Sequence, residues 1–468
     1  MSKRVLLVNP RVEYAQSFTP HLGLAVLARR LGESGHRVLV LDYSAQRSTP
    51  PLNCFLSEFE PDVVGVSLLT PGMAVAHRVM ETVLEHEPHI PIMVGGPHAT
   101  LYADELAADS KTSYIFVGEA ENHIVEIVEK AKFESNPLVI NCSAQPIESF
   151  PTPDFSCFYG YTDIKVYPLL TSKGCPFQCS FCAVHKMSSR AWRTRDVVAC
   201  IHELKQAKDY LPGLKQVRVI DDSPAVDVKR LKRFLRLYTQ EEVNLALEIV
   251  NIRADEIDRE MIDLMRGAGA FEVCFGVEHG HPEVFAAIGK GETLDDIRRA
   301  AKLVKESGLF LRCCFVVGLP HDSFAKSLYS IRLAKELGAD FFHWNSFIPL
   351  KGTRAREWFE EHGRLHSEVG AFSLTGNTDF FVPEPVAEYD DFPAEEQKKA
   401  YALAVLETDS YIFRVNSIPK IVQTAMKYNL YFATAKSLLR QPLAWLRFLT
   451  RFYRTGLLRQ YAMAFLRS

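Results

Sequence analysis

The stretch VYPLLTSKGCPFQCSFC at residues 166–182 joins an apolar strand to a loop rich in cysteine. The first six residues are typical of a strand that is covered on both faces of a parallel sheet. The loop then places Cys175, Cys179 and Cys182 in the spacing C-x-x-x-C-x-x-C. Thiolates are natural ligands of iron–sulfur clusters, and three of them leave one iron open to a small molecule. The stretch therefore predicts a metal centre in the loop after a strand.

A zinc site is the alternative for these three cysteines. Structural zinc usually takes four ligands from paired C-x-x-C or C…H elements. No second pair stands at a suitable spacing, although His185 could act as a fourth ligand. The aromatic Phe181 before the last cysteine, together with the spacing, favours the iron–sulfur cluster. The remaining cysteines are interpreted mostly as small core residues: Cys54, Cys142, Cys157, Cys200, Cys274, Cys313 and Cys314.

Further strand-and-helix units continue after this loop. Apolar runs occupy residues 166–171, 216–222, 245–250, 271–278, 311–318 and 339–347, with helical stretches between them. Six such units predict a partial TIM-type (β/α)6 barrel, whose active site lies at the carboxyl ends of its strands. Asp221 and Asp222 end the second strand and are expected to face that site. An N-cap role for Asp222 is the alternative.

An earlier series of strands and helices fills the first 130 residues. Strands are predicted at 5–10, 37–43, 62–70, 90–100 and 113–121, and a helix at 23–31. Continuous apolar strands separated by helices predict an α/β fold, here a doubly wound (flavodoxin-like) parallel sheet. Ligands bind such sheets outside the carboxyl ends of the strands, where Gly, Ser and Thr are concentrated in this sequence.

The domain boundaries follow from these patterns. Scattered polar residues with Pro137, Pro146, Pro151 and Pro153 predict a linker over 136–165. The expected order is an amino-terminal domain at 1–135, the linker, the barrel at 166–355 and a helical, basic region at 356–468.

Charge is distributed unevenly along the chain. The net charge of −3 gives no indication of a nucleic-acid partner, yet the last 57 residues hold ten Lys or Arg and no acidic residue. The apolar run at the amino terminus is too short for a signal peptide. No apolar run approaches the roughly 18 residues that a membrane-spanning helix needs. A cytoplasmic protein in a reducing compartment is expected.

The basic tail predicts an amphipathic helix. Pro442 suits the first turn of a helix that ends at Arg454, with Gly456 beyond it. One face would carry Arg440, Arg447, Arg451 and Arg454, and the other Trp445, Leu446, Phe448, Leu449, Phe452 and Tyr453. Such a helix suits peripheral contact with the inner membrane surface or with an acidic partner. Packing as a cap on the barrel is the alternative.

Residues 160–355 resemble the radical S-adenosylmethionine superfamily, on the motif that Cys175, Cys179, Phe181 and Cys182 match. The resemblance implies a 4Fe-4S cluster that reductively cleaves S-adenosylmethionine to methionine and a 5′-deoxyadenosyl radical. It also implies a reducing partner such as flavodoxin or ferredoxin.

Other parts of the barrel carry the same resemblance. Glu278, in FGVEHG, matches the carboxylate that helps to hold S-adenosylmethionine. Gly318 and Pro320, in FVVGLP, belong to the stretch that packs along the adenine, and IPLKGT at 348–353 resembles the Pro-Gly-Thr stretch after the sixth strand. The family usually has Ser after the glutamate, whereas this chain has His279.

Four stretches at residues 19–121 resemble the cobalamin-binding domain of one large branch of this superfamily: TPHLGLAVLARRLGESGHRVLVLD, PDVVGVSLLT, VGGPHAT and VGEAE. The resemblance implies that Ser67 and Thr70 bond the nucleotide tail and that Gly95, Gly96 and Gly118 let the backbone approach the corrin. No D-x-H-x-x-G motif is present, and His98 is not interpreted as a cobalt ligand. A base-off cobalamin is expected. An empty domain, or a generic flavodoxin-like one, is the alternative.

These features predict a cobalamin-dependent radical methyltransferase that acts on an unactivated carbon of a small molecule, with lipids and tetrapyrroles as candidates. A second S-adenosylmethionine would remethylate the cobalamin. A radical cyclase or oxidoreductase without methyl transfer uses the same motifs and is the main alternative. A binding protein without turnover is a further alternative, against which the intact cysteines and Glu278 argue. The sequence does not identify a catalytic residue that handles the substrate.

Overall fold

The computed structural model describes residues 2–11, 19–45, 49–108, 111–144, 147, 150–188, 191–366, 382–411 and 418–454. The chain divides into two compact units. The described parts of 1–176 and 183–214 belong to the first, and those of 177–182, 215–368 and 373–468 to the second. In this part of the chain, no helix has both the length and the apolar character that a membrane span requires.

The first unit contains a parallel sheet of six strands in the order β2-β1-β3-β4-β5-β6. The strands are β1 (Arg4–Asn9), β2 (Arg37–Asp42), β3 (Val63–Ser67), β4 (Ile92–Gly95), β5 (Tyr114–Gly118) and β6 (Leu138–Cys142). This order is that of a flavodoxin-like doubly wound sheet, extended by one strand. The fold class predicted for this region is confirmed.

Helices cover the sheet with apolar side chains. They are α1 (Leu22–Glu33), α2 (Leu52–Phe59), α3 (Met73–His86), α4 (Pro97–Leu101), α5 (Ala103–Ala107) and α6 (Ile124–Lys130). Part of the core consists of buried residues from α2, α3 and the central strands, such as Leu56, Met80, Val64 and Val66. Because both faces are covered, functional side chains can emerge only at the strand ends.

Two stretches differ from the sequence predictions. The run predicted as a strand to residue 100 stops at Gly95, since Gly96 has a φ of 98° and Pro97 begins α4. In addition, β6 lies within the stretch predicted as a linker. Its residues Leu138 and Val139 are 46% and 41% exposed, as suits an edge strand, and this exposure explains why the sequence pattern resembled a loop.

The rest of the first unit surrounds the start of the cysteine loop. It comprises β7 (Val166–Leu169), the short strands β8 (Ser172–Lys173) and β9 (Arg193–Thr194), and the helices α7 (Val184–Met187) and α8 (Val197–Tyr210). The strands β8 and β9 pair in antiparallel fashion. Asp196 caps α8 by accepting hydrogen bonds from the backbone amides of Val198 and Ala199.

Parallel strands also form the centre of the second unit. They are β10 (Gln216–Val219), β11 (Ala246–Ile249), β12 (Ala270–Glu278), β13 (Phe310–Val317) and β14 (Phe341–Ser346), and each pairs with the next. The helices between or after them are α9 (Val228–Gln240), α10 (Arg259–Gly267), α11 (Pro282–Ile288), α12 (Leu294–Ser307), α13 (Phe324–Leu337) and α14 (Arg354–His362). This sequential parallel order agrees with the predicted partial barrel.

The carboxyl-terminal region is helical, as predicted. It contains α15 (Ala394–Glu407), α16 (Ile418–Tyr428) and α17 (Tyr431–Arg454), after a small hairpin of β15 (Arg364–Leu365) and β16 (Ala387–Glu388). The predicted helix start at Pro442 is wrong, because α17 begins at Tyr431 and Pro442 lies inside it. Side chains from 444 onward lie outside the description, so the predicted tryptophan and arginine faces there stay predictions.

A buried ion pair of the first unit offers a test of this packing. Arg195 and Glu203 are 8% and 2% exposed and lie 2.5 Å apart, and the Tyr167 hydroxyl donates to Glu203. Removing one partner leaves the other charge buried and uncompensated, so Glu203→Ala should lower the free energy of unfolding by about 3–5 kcal/mol. The measurement is unfolding in urea monitored by circular dichroism, from which the free energy of unfolding is obtained.

The matched control is Glu33→Ala, which removes an exposed i,i+4 pair with Arg29. It should change the free energy of unfolding by no more than about 0.5 kcal/mol. Equal losses in the two variants would contradict the assignment of Glu203 to the core.

Candidate radical and cobalamin sites

The three predicted cluster cysteines lie in one loop after β7. Cys175, Cys179 and Cys182 are each partly exposed, and none of the ten cysteines is recorded in a disulfide. Among the described residues, no three His, Cys, Asp or Glu side chains are gathered closely enough to hold a metal ion. The donor set nevertheless fits an iron–sulfur cluster, because it consists of three accessible thiols on one short loop.

The middle of this loop is anchored by its backbone within the second unit. The Ser180 amide donates to the Ile288 carbonyl at 2.7 Å, and the Ser180 carbonyl accepts from the Ala355 amide at 3.0 Å. The Arg354 guanidinium donates to the Gln178 carbonyl at 2.5 Å. These bonds lie beside Cys179 and use only protein groups. The loop conformation therefore depends on contacts that exist without a bound cluster.

A cation–π contact holds the same loop from another side. The Arg253 guanidinium lies 3.7 Å from the centre of the Phe177 ring. Arg253 is itself fixed by Asp255, to which it donates two hydrogen bonds. A desolvated contact of this kind contributes about 2 kcal/mol. Sequence reasoning missed Arg253, for which the only signal was its position after the third barrel strand.

Glu278 ends β12 in a backbone conformation that is uncommon for residues other than glycine, with a φ of 65°. The pairing of β12 with β13 shifts register between Gly276 and Glu278. A side chain at Gly276 would collide with the Glu278 carboxylate and force it to move, so glycine suits the observed position of that carboxylate. The strand therefore bulges and turns the carboxylate to a position that regular pairing would not give.

Lys290 and Glu292 set the electrostatic surroundings of Glu278. Lys290 lies 3.4 Å from Glu278 and 2.7 Å from Glu292. Burial raises the pKa of Glu278, while the Lys290 ammonium acts in the opposite direction. Lys290 thus pairs with two carboxylates, of which Glu292 is buried and Glu278 is 13% exposed, and this leaves excess negative charge suited to a positively charged ligand group. Sequence reasoning missed Lys290 and Glu292, although the Gly-Lys-Gly-Glu run at 289–292 was a signal.

His279, the departure from the family pattern, is fully engaged inside the second unit. One ring nitrogen lies 3.0 Å from Asp322, and the other accepts from the His281 amide at 3.0 Å. The other Asp322 oxygen accepts from the Gly318 amide at 3.1 Å. His279 therefore ties the end of β12 to the Gly-Leu-Pro turn after β13.

Pro320 lines a pocket of about 150 Å³ beside the cysteine loop. Its other walls include Ser180, Ile288, Leu319, Arg354 and Trp358. Ser180 precedes the predicted cofactor-binding residue Phe181. The pocket combines an apolar lining with one guanidinium, which suits a flat aromatic base that also carries polar edges.

The predicted residues Asp221 and Asp222 behave differently from each other. Asp221 is fully buried, and its carbonyl accepts from the Asn251 side chain. Asp222 is not the N-cap of the following helix, because Asp227 caps α9 by accepting from the Arg230 amide. The N-cap alternative is therefore wrong, because eight residues lie between the end of β10 at Val219 and the start of α9 at Val228.

The predicted cobalamin residues lie at one edge of the first sheet, where β3, β4 and β5 end. The Ser67 hydroxyl lies 2.9 Å from a ring nitrogen of His21, and the Thr70 hydroxyl lies 3.1 Å from a ring nitrogen of His98. Both hydroxyl residues are buried. A ligand that bonds Ser67 or Thr70 would therefore either take the place of a histidine partner or use the remaining hydrogen-bonding capacity of the hydroxyl group.

The glycines at this edge and the nearby histidine have roles inside the domain. A side chain at Gly96 would come within 3.0 Å of the Leu68 carbonyl, and the Gly118 amide donates to the Thr100 hydroxyl at 3.0 Å. Burial and the neighbouring His77 lower the pKa of His98 to about 4. Small residues at the carboxyl ends of β3, β4 and β5 leave room for a bulky ligand at this edge. Sequence reasoning missed His21, whose amide donates to Asp42.

Two family models match the chain in the order that this geometry suggests. Residues 9–128 match the B12 binding domain, and residues 169–338 match the radical SAM superfamily. The cofactors of these two domains are cobalamin for the first, and a 4Fe-4S cluster with S-adenosylmethionine for the second. The cofactors predicted from the sequence are confirmed at the level of these domains.

Known proteins resemble the chain across both domains. An uncharacterised methyltransferase of Pyrococcus horikoshii is 26% identical over 424 residues, covering 85% of this chain and 90% of its own. The anaerobic magnesium-protoporphyrin IX monomethyl ester cyclase of Rubrivivax gelatinosus is 25% identical, covering 74% of this chain and 68% of its own.

A solved structure shares the fold. The cobalamin-dependent S-adenosylmethionine radical enzyme OxsB, with aqua-cobalamin and S-adenosylmethionine bound, aligns with a TM-score of 0.68 and 16% identity. The alignment covers 96% of this chain and 72% of OxsB. Together with the two family matches, these findings show that the chain is an enzyme of the radical S-adenosylmethionine superfamily and belongs to the branch with an amino-terminal cobalamin-binding domain.

Proposed function

We propose that this enzyme methylates an unactivated carbon of an amphiphilic small molecule, with lipids and tetrapyrroles as the candidate substrate classes. The observation that carries the proposal is the presence, in one chain, of a B12 binding domain and of an anchored cysteine loop with a buried, negatively charged Glu278 group. The similarity to the methyltransferase of Pyrococcus horikoshii, which covers 90% of that protein, supports methyl transfer.

The proposed roles of the residues follow from their chemistry. Cys175, Cys179 and Cys182 would hold the cluster and leave one iron for the amino and carboxylate groups of S-adenosylmethionine. Glu278 would accept a hydrogen bond from an N–H of that iron-bound amino group, for which a carboxylate is a strong acceptor. When bound, the cluster and S-adenosylmethionine supply hydrogen abstraction from the substrate, and methylcobalamin supplies the methyl group.

The adenine of S-adenosylmethionine fits the pocket beside the cysteine loop. Leu319 and Pro320 would cover one face of the base, and Arg354 could contact its polar edge. At the first sheet, Ser67 and Thr70 would bond the nucleotide tail of cobalamin, while Gly95, Gly96 and Gly118 keep the edge free of side chains.

A layer of charged and polar side chains in the sheet of the second unit supports a substrate with polar groups. Arg312 lies 2.7 Å from Glu272 and 3.3 Å from Glu248, and Gln216 donates to Glu248 at 2.7 Å. Cys274 and Cys314, interpreted from the sequence as core residues, lie 3.8 Å apart beside this layer. Buried charges of both signs favour an amphiphilic substrate over a purely apolar one.

The second candidate function is ring formation or oxidation without methyl transfer. It is favoured by the similarity to the magnesium-protoporphyrin cyclase. Both reactions would begin with abstraction of a hydrogen atom from the substrate, and both need electrons from a reducing partner such as flavodoxin or ferredoxin. The fate of the methyl group of S-adenosylmethionine distinguishes them.

A label experiment tests the proposed function. Reconstituted enzyme is incubated with reductant, candidate tetrapyrroles or lipids, and S-adenosylmethionine that carries a trideuterated methyl group. We expect a product heavier by one labelled methyl group, together with 5′-deoxyadenosine and S-adenosylhomocysteine, as mass spectrometry would detect. Label recovered only in methionine, with a cyclised or oxidised product, would replace methylation by the second candidate. The control in which Cys175, Cys179 and Cys182 are all alanine should form no 5′-deoxyadenosine.

Glu278→Gln tests the carboxylate. The amide keeps the size of the side chain but removes the charged acceptor for the N–H of the ligand amino group, a contribution of about 1.5–3 kcal/mol. The Kd for S-adenosylmethionine, measured on cluster-loaded protein by equilibrium dialysis, should rise by about 10- to 100-fold. Glu283→Gln, which removes an exposed carboxylate paired with Lys326, is the control and should leave the Kd unchanged. An unaltered Kd for Glu278→Gln would rule out this role.

Peripheral membrane contact is the second part of the proposal, with a cytoplasmic location at the inner membrane surface. Exposed apolar side chains recur along one side of α16, at Ile418, Val422 and Met426. The start of α17 adds Phe432 and Leu439, which are 81% and 84% exposed. A cluster of this kind in a region without acidic residues suits an anionic lipid surface.

One predicted member of the basic face has another partner. Arg440 lies 2.6 Å from Asp409 and donates to the Leu406 carbonyl, so it fastens α17 to the residues after α15. This arginine supports the capping alternative for its own position. The membrane proposal therefore depends on the exposed apolar residues and on Lys420, and not on Arg440.

Sedimentation with liposomes tests the membrane contact. The wild type should sediment with vesicles that contain anionic phosphatidylglycerol, and less so as salt is raised, because the Debye length shortens from about 10 Å at 0.1 M to about 3 Å at 1 M. The triple variant Met426→Glu, Phe432→Glu, Leu439→Glu should stay in the supernatant. Val198→Glu, an exposed apolar site on α8, is the control and should sediment like the wild type. Wild type that stays in the supernatant with and without vesicles would exclude the contact.

A further inference from the structure

Glu119 follows directly after β5 and is 8% exposed. Both of its carboxylate oxygens accept from the Arg193 guanidinium, one of them at 3.0 Å, and Lys173 lies 3.3 Å away. Glu121 adds a second, longer contact to Lys173 at 3.4 Å. All four residues belong to the first unit. One buried carboxylate therefore binds two cations in a two-pronged arrangement, which is among the strongest that side chains form.

The two cations lie on the β8–β9 hairpin, where Lys173 and Arg193 are paired residues. Lys173 stands two residues before Cys175. Arg193 also donates to the Ser188 carbonyl at 3.3 Å, just after α7. Since α7 begins two residues after Cys182, this hairpin holds the chain on both sides of the cysteine loop.

Glu119, the carboxylate that contacts this hairpin, lies next to the sheet edge that carries the predicted cobalamin residues. Gly118, the residue before Glu119, ends β5 at the sheet edge that carries Ser67 and Gly95. Helix α4, which follows Gly95 and Gly96, packs against α7. We call this edge, where β3, β4 and β5 end, the cobalamin edge. A change there that moves Gly118 would also move Glu119, and with it the hairpin before Cys175.

The energetics favour transmission through Glu119. Arg193 and Lys173 are 14% and 21% exposed, so removal of the Glu119 charge would leave two cations half buried beside each other. Glu121 contacts Lys173 at 3.4 Å, a longer distance than the 3.0 Å hydrogen bond from Arg193 to Glu119. Because partly buried ion pairs are weakly screened, the hairpin has one strongly preferred position relative to β5.

We propose that Glu119 is a positioning residue that couples the occupancy of the cobalamin edge to that of the cysteine loop. The inference rests on the binding of both groups by this chain, but not on methyl transfer. Coupling between two sites is reciprocal. A loaded cluster should therefore tighten cobalamin binding by the same factor by which cobalamin tightens the retention of the cluster.

The experiment compares two preparations of the full-length protein, one reconstituted with iron and sulfide and one freed of iron by a chelator. The Kd for hydroxocobalamin is measured in each by absorbance, without substrate or turnover. For the wild type we expect about tenfold tighter binding by the cluster-loaded protein, within the usual range of coupling between sites. In Glu119→Gln, which preserves the shape, the ratio of the two Kd values should fall to about one.

Arg193→Met breaks the same connection from the hairpin, which carries none of the predicted cobalamin residues, and should also bring the ratio to one. Glu126→Gln is the matched control, since it removes an exposed carboxylate that pairs with Lys130 in the same domain. It should keep the wild-type ratio. If circular dichroism shows that Glu119→Gln does not fold, the comparison of the Kd ratios of Arg193→Met and the wild type tests the proposal. A wild-type ratio of one, or an unchanged ratio in the folded variants, overturns the proposal, whether or not the enzyme transfers methyl groups.

Discussion

Parallel pairing of strands is the constraint on which the rest of this molecule depends. In a parallel sheet every strand must be followed by a crossover, so the carboxyl ends of all strands meet at one edge. With helices on both faces, that edge is where loop residues can meet a ligand. In the first unit it gathers Ser67, Gly95 and Gly118 from three separate stretches. In the second it brings Glu278 and Gly318 to the ends of neighbouring strands.

The second feature common to both units is the use of shared buried charges. Lys290 serves Glu278 and Glu292, and Glu119 serves Arg193 and Lys173. Each group has one ion that contacts two of opposite sign. Such an arrangement gives each ion at least one partner of opposite sign and favours one geometry over its neighbours. Groups of this type suit sites that must hold a ligand in a defined position.

The membrane proposal and the barrel chemistry are related through the kind of substrate that they imply. The exposed apolar residues of α16 and α17 suit contact with lipid, whereas the layer of Arg312, Glu248 and Glu272 supplies buried charge. A molecule that resides at a membrane and carries polar groups satisfies both. Lipids with charged head groups and tetrapyrroles with carboxylate side chains have this character.

Much of the fold and of the family could be read from local patterns. Apolar runs and helical stretches predicted both parallel sheets, and the cysteine spacing predicted the chemistry, because these signals lie within a few consecutive residues. The tertiary structure decided the rest. One such feature is the left-handed turn at Glu278. The others bring together residues that lie at least 24 positions apart in the chain: Asp322 with His279, Leu406 with Arg440, β5 with β6, and Glu119 with Arg193. Their identity depends on which strand ends and helices come together, and spacing along the chain carries no record of that.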